Sequence, residues 1–175
     1  MKPYQQGDLD SFCGLYSIIN ATQLVVGSKI TSAECERLLS KSIALIEQKR
    51  KISEVIIAGL GTRQILKIME KVCFKKYAIL RQKPFSSASV VPLNKYWKTV
   101  QEFLNSSKCR AVIISFETKE VSHWSVVSKI THKQIVLFDS SERSRIFRKD
   151  CSTKKYTKRK PVYLDPSATY FMLAK

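Results

Sequence analysis

Apolar residues recur at helical spacing through the first seventy or so positions and crowd into short β-branched and aromatic runs near the C-terminus. Leu15, Ile18, Ile19 and Leu24 predict a helix over Phe12–Gln23, with Asp10 or Ser11 placed to cap it. Thr31-Ser32-Ala33-Glu34 reads as a capping box. Leu38, Leu39, Ile43, Leu45 and Ile46 then form the apolar stripe of a second helix, and Lys49-Arg50-Lys51 suit its negative C-terminal end. A third stretch, Ile52–Leu60, breaks at Gly59-Leu60-Gly61, after which Thr62 is positioned to cap a helix carrying Ile65, Leu66, Ile68, Met69 and Val72.

The pattern changes at Tyr77. Tyr77–Leu80 predicts a short strand, Pro84–Pro92 a Ser-rich loop, and Tyr96, Val100, Phe103 and Leu104 one more helix. Arg110–Phe116, His123–Ile130, Gln134–Phe138 and Thr169–Leu173 read as strands separated by polar turns. With no internal repeat, the expectation is one α+β domain over residues 1–175, its N-terminal helices packed on a C-terminal antiparallel sheet.

Composition narrows the classes. A chain of 175 residues, 44% hydrophobic, can bury a core without disulfides or a structural metal. Its longest apolar runs, Val55–Ala58, Ala111–Ile114 and Phe171–Ala174, are too short to span a bilayer. Met1–Asp8 has no apolar signal core, so the expected location is the cytoplasm, or a target cell reached without a cleaved signal peptide. Cys13, Cys35, Cys73, Cys109 and Cys151 form no CxxC pair and no zinc-ligand spacing, which predicts reduced thiols, no metal and no cofactor.

Lys and Arg number 31 against 14 Asp and Glu, a net charge of +17. Nine of these cations, Arg143, Arg145, Arg148, Lys149, Lys154, Lys155, Lys158, Arg159 and Lys160, lie between Arg143 and Pro161. The segment reads as a basic loop or hairpin insertion, with Ile146, Phe147 and Tyr156 too sparse for a core element. Its charge suits nucleic acid, an anionic surface or an acidic protein substrate. No zinc-finger spacing, stacking motif or basic zipper accompanies it.

Cys13 stands where a helix should start, and there free backbone N–H groups and the helix dipole favour a thiolate. Gly14 beside it suggests open space for a substrate carbonyl. His123 opens one predicted strand and Asp139 closes the next, with the intervening turn near Thr131-His132. An antiparallel hairpin then sets 123 and 139 opposite or diagonal to each other, a carboxylate orienting an imidazole. The Asp139-Ser140-Ser141 string equally suits a turn, and His132 is expected to be exposed. A side-chain amide from Gln5 or Gln6, together with the Cys13 N–H, would make an oxyanion hole.

The string Gln6-Gly7-Asp8-Leu9-Asp10-Ser11-Phe12-Cys13-Gly14-Leu15, followed by His123-Trp124 and Phe138-Asp139, resembles the papain-like cysteine peptidase superfamily in its order of Gln, Cys, His and Asp. Its Cys-Gly pair and sixteen-residue His-to-Asp interval are similar to the small bacterial members, the bacteriocin-processing peptidases and cysteine-protease-like effector enzymes. The resemblance implies a papain-like fold and a thiol peptidase with Cys13 as nucleophile, His123 as general base and acid, Asp139 as orienter and Gln6 as oxyanion-hole donor. Two departures stand out. The glutamine lies one residue further from the cysteine than in papain, and Phe12 stands where the bacteriocin-processing enzymes usually carry an acidic residue. With twelve residues before Cys13, the expectation is an enzyme without an inhibitory propeptide. Glutamine deamidation and acyl transfer use the same constellation, and a basic binding protein with a vestigial site is the reading from another class.

Overall fold

The structure is a computed structural model that describes residues 1–85 and 90–175. Helices come first: α1 (Cys13–Val26), a 3-10 turn at Gly27–Lys29, α2 (Ser32–Glu47), α3 (Ile52–Ala58) and α4 (Thr62–Ile68). The last continues through a π-helical stretch, Met69–Phe74, into α5 (Lys75–Tyr77). The capping box of α2 forms as expected, Glu34 N–H donating to Thr31 Oγ1 at 3.3 Å and Thr31 N–H to Glu34 Oε2 at 3.1 Å. The helix breaker after α3 is Gly59, whose φ of +69° favours glycine. At α4, Gly61 rather than Thr62 is the cap residue, its N–H held by Gln64 Oε1 at 2.9 Å.

β1 (Ile79–Gln82) and α6 (Leu93–Asn105) lead into the remaining strands: β2 (Arg110–Glu117), β3 (Ser122–Ile130), β4 (Gln134–Leu137), β5 (Arg145–Phe147), β6 (Cys151–Ser152) and β7 (Val162–Ala174). Of the Ser-rich loop expected over Pro84–Pro92, residues 86–89 lie outside the described residues. The sheet runs β1-β7-β2-β3-β4-β5, all antiparallel, with β6 added to β7 in parallel. The architecture is therefore α+β, helices followed by a C-terminal antiparallel sheet.

Alternation along the strands gives the sheet two apolar faces. Ala111, Ile113, Trp124, Val126, Tyr170 and Met172 pack with Leu15 and Ile18 of α1, Leu38 of α2 and Ile65 of α4. Val112, Ile114, Phe116, Val127 and Phe171 share the other cluster with Tyr96, Trp97, Val100 and Phe103 of α6. Coverage on both sides explains why β2 is an unbroken buried run from Ala111 to Phe116 rather than an alternating one. No helix among the described residues is long and apolar enough to cross a membrane.

Two stretches differ from expectation. β7 is 13 residues long and begins at Val162, well before Thr169. Asp165-Pro166-Ser167 looks like a turn, and its local bonds are those of one: Ser167 N–H and Oγ both donate to Asp165 Oδ1, at 2.8 and 2.7 Å. The sheet takes it in where the β2–β7 register shifts between Ile113 and Ser115. The basic segment 143–161 is also not a free loop. Ile146 and Cys151 are buried core residues, at 3% and 0% exposure, on β5 and β6. A sheet edge needs only one inward side chain per strand of three residues, so sparse apolar residues suffice there. Within the basic segment, Arg143–Arg145 and Lys154–Pro161 are the continuously exposed stretches.

Candidate functional site

Cys13 opens α1 as expected, one residue inside the N-cap residue Phe12. Neither expected cap, Asp10 or Ser11, caps the helix, since Phe12 takes that position with no side-chain cap bond; Asp10 instead holds the turn that leads into it. Asp10 Oδ1 accepts the Phe12 N–H at 2.9 Å and Oδ2 the Gly7 N–H at 2.7 Å. Ser11 turns to α3, its Oγ donating to the Ile57 carbonyl at 3.0 Å and its N–H to the Ile56 carbonyl at 2.7 Å. Upstream, the buried Asn20 of α1 bonds both backbone groups of Tyr4, at 2.8 and 3.1 Å, and so lays the N-terminal segment along the helix.

His123 and Asp139 meet across the β3–β4 hairpin. Val127 pairs with Leu137, and Phe138 N–H donates to the Val126 carbonyl at 2.8 Å. Continuing that register puts Asp139 beside Ser125 and diagonal to His123, the geometry that the spacing predicts. The carboxylate accepts from His123 Nε2 at 2.9 Å through Oδ2 and at 3.2 Å through Oδ1. Both residues are buried, at 8% and 4% exposure. His132 is exposed in the turn.

Ser141 is the contributor that the sequence left unassigned. Its N–H and Oγ donate to Asp139 Oδ1 at 2.7 and 2.6 Å, and its Oγ lies 3.4 Å from His123 Nε2. The Asp-Ser-Ser string that signals a turn thus also aims the carboxylate. Ser140 binds the N-terminal segment, taking the Gln6 N–H at 2.9 Å on its carbonyl and donating from Oγ to Gln6 Oε1 at 3.2 Å.

Burial pulls the His123 imidazole down, and the bonds and charges of Asp139 and Cys13 outweigh it, pushing the ring up to about 9. Asp139 shifts the other way: burial raises its carboxyl, and His123, with smaller help from Ser125 and Ser141, more than compensates and holds it below the usual carboxylate range. Cys13 contributes to the upward shift of the ring, while the hydrogen bond its own Sγ makes is to the Ser11 carbonyl, at 4.0 Å. With Nε2 committed to Asp139, Nδ1 is the nitrogen left for the thiol.

The two glutamines are placed differently. Gln5 Nε2 donates to the carbonyls of Asp139 at 3.1 Å and Pro3 at 3.5 Å, which uses both of its hydrogens. Gln6 Nε2 donates to the Asp10 carbonyl at 3.2 Å and keeps one N–H for another acceptor. Both border a polar cleft of about 310 Å³ with Asp8, Ser140, Ser141 and Glu142.

Gly14 does not open space beside the sulfur. A Cβ there would lie 2.6 Å from Ile65 Cδ1 and 3.3 Å from Leu60 Cβ, so this glycine lets α1 close on α4 and the preceding loop. That loop braces both halves of the site: a Cβ on Gly59 would stand 3.3 Å from the Ser11 carbonyl, and Trp124 Nε1, next to His123, donates to the Leu60 carbonyl at 2.8 Å. Among the other cysteines, burial pushes Cys73 and Cys151 up to about 12 and raises Cys35, while Cys109 is exposed. Among the described residues no group of three or more His, Cys, Asp or Glu is arranged to hold a metal.

No protein-family model matches the chain, and no curated protein matches it in sequence.

Proposed function

We propose that the protein is a cysteine-dependent amide hydrolase of papain-like type, with Cys13 as nucleophile, His123 as base and acid, and Asp139 as orienter. The observation that carries this reading is the buried His123 ring, held by Asp139 at 2.9 Å and up at about 9 with Cys13 acting on it. A core has no use for an imidazolium next to a thiol, since burying the charge is costly. A nucleophile does, because the imidazolium stabilises the thiolate and then supplies a proton.

In the reaction the Cys13 sulfur adds to the amide carbonyl carbon, and the electron pair of the C=O bond moves to oxygen. The Cys13 N–H and the free N–H of Gln6 receive that oxyanion. Its collapse expels the amine, which takes the proton from His123 Nδ1 and leaves a thioester. Water, giving its proton to the same nitrogen, then adds to the thioester carbonyl; collapse breaks the C–S bond, releases the carboxylic acid and returns that proton to the Cys13 sulfur. A peptide bond, with an acidic protein as one substrate class, fits this sequence of steps. A glutamine side-chain amide or a different acyl acceptor fits it equally, since only the leaving amine or the incoming nucleophile changes.

Selective alkylation tests the proposal. At about pH 6, iodoacetamide should modify Cys13 well ahead of the exposed Cys109, and His123→Ala should remove that lead. Equal labelling of the two cysteines in the unmodified protein, read by peptide mass spectrometry, would refute the reading and favour a binding protein with a vestigial site.

A further inference from the structure

A second cavity, about 760 Å³, opens at the other end of the β3–β4 hairpin from His123. Along β3 the seven steps from His123 to Ile130 put the two places roughly 20–25 Å apart. The cavity is walled by the β3–β4 turn, the start of α6, the end of β5 with its 3-10 turn, and the last residue of the basic loop. Lys133, Arg148, Lys149 and Lys160 all line it, and no carboxylate does. None of the four forms an ion pair among the described residues.

Arg148 is built in rather than loose. Its Nη2 donates to Asn94 Oδ1 at 2.8 Å, its Nη1 to the His132 carbonyl at 3.4 Å, and its guanidinium stands 5.3 Å over the ring of the buried Trp97. Both acceptors are neutral, so the full positive charge remains and its orientation is set in advance. Phe147, 42% exposed, and Leu93 add an apolar wall to the same cavity.

An open pocket of this volume has room for a ligand of nucleotide size. Convergent cations without counter-charges select a chain of phosphates, and an exposed aromatic ring beside them suits a planar base. We propose that this cavity binds a nucleoside polyphosphate, its phosphates on Arg148, Lys133, Lys149 and Lys160 and its base against Phe147. The site is independent of the Cys13 chemistry. The remaining loop cations, Lys154, Lys155, Lys158 and Arg159, do not line it.

The experiment is calorimetric titration of the full chain with ATP and with inorganic tripolyphosphate, with tryptophan fluorescence as a second readout because Trp97 underlies Arg148. ATP should bind saturably, one per chain, and more tightly than tripolyphosphate, and Phe147→Ala should erase that difference. The exposed pair Lys133→Glu/Lys149→Glu should weaken ATP at least about tenfold. Lys154→Glu/Lys155→Glu and Cys13→Ala should bind as the unmodified protein does, and circular dichroism confirms that each variant folds. Absence of saturation at millimolar ATP would overturn the proposal. So would equal loss in both lysine pairs, which marks diffuse surface charge, or tighter binding of a single-stranded oligonucleotide that is lost in the Lys154/Lys155 variant, which marks a nucleic-acid surface.

Discussion

Replacing Asp139 with Asn removes the charge that holds His123 while keeping the shape of the side chain. Raising the ring from the ordinary histidine value near 6.5 to about 9 corresponds to about 3 kcal/mol in favour of the protonated form. In the variant the Asp139 share of that preference goes, while burial still acts downward and Cys13 upward, so His123 should titrate clearly below about 9. Because the chain has two histidines, ring NMR resolves each of them. The sign for stability follows from the same shift. A group whose folded value is raised contributes fully below its unfolded value of about 6.5, and the contribution fades as pH climbs through about 9. Asp139, held low, limits the same interaction at the acid end, where it is lost as pH falls through and below the usual carboxylate range. Urea unfolding should therefore show the unmodified protein ahead of Asp139→Asn by up to about 3 kcal/mol near pH 6, with the gap closing by about pH 10. A His123 that titrates at the ordinary value near 6.5 in the unmodified protein, or one unmoved by Asp139→Asn, would refute the electrostatic account.

Gly14→Ala should destabilise by about 1–3 kcal/mol in urea, because its Cβ runs into Leu60 and Ile65, and adding Ile65→Val should recover part of that loss. Gln6→Ala should lower kcat by about 100-fold or more if its free N–H serves the oxyanion, with Gln5→Ala costing much less, measured on whichever amide substrate the alkylation work validates. Ile146→Ala should cost about 2–4 kcal/mol by the same unfolding assay, since the residue fills a core position on β5; a cost near zero would show the basic segment to be a loop after all.

How much of this was legible beforehand differs from residue to residue. Several local signals carry through to the structure: the Thr31–Glu34 box, the Gly59 break, the opening of α1 at Cys13 and the amphipathic α6 all depend on neighbours within a turn or so, although the cap residues of α1 and α4 differ from those expected. The His123–Asp139 meeting was legible for a related reason, because a short hairpin turns sequence distance into spatial distance. Residues whose partners are remote in the chain were misread or missed. Gly14 answers to Leu60 and Ile65, Ser140 and Ser141 to the N-terminal segment and to His123, and the sparse Ile146 to a sheet edge waiting for it.

The amino-acid sequence by itself determined the main helices and the central strands, their α+β order, and a cysteine, a histidine and an aspartate placed at element ends. Only the tertiary structure decided that the Asp139 turn is a hub tying the N-terminus to His123, that Gly14 is a packing contact, and that four cations from three segments line one cavity. The reason is physical. Propensity, capping and hairpin register act over a few residues, whereas close packing and charge convergence depend on which distant segments the buried core brings together.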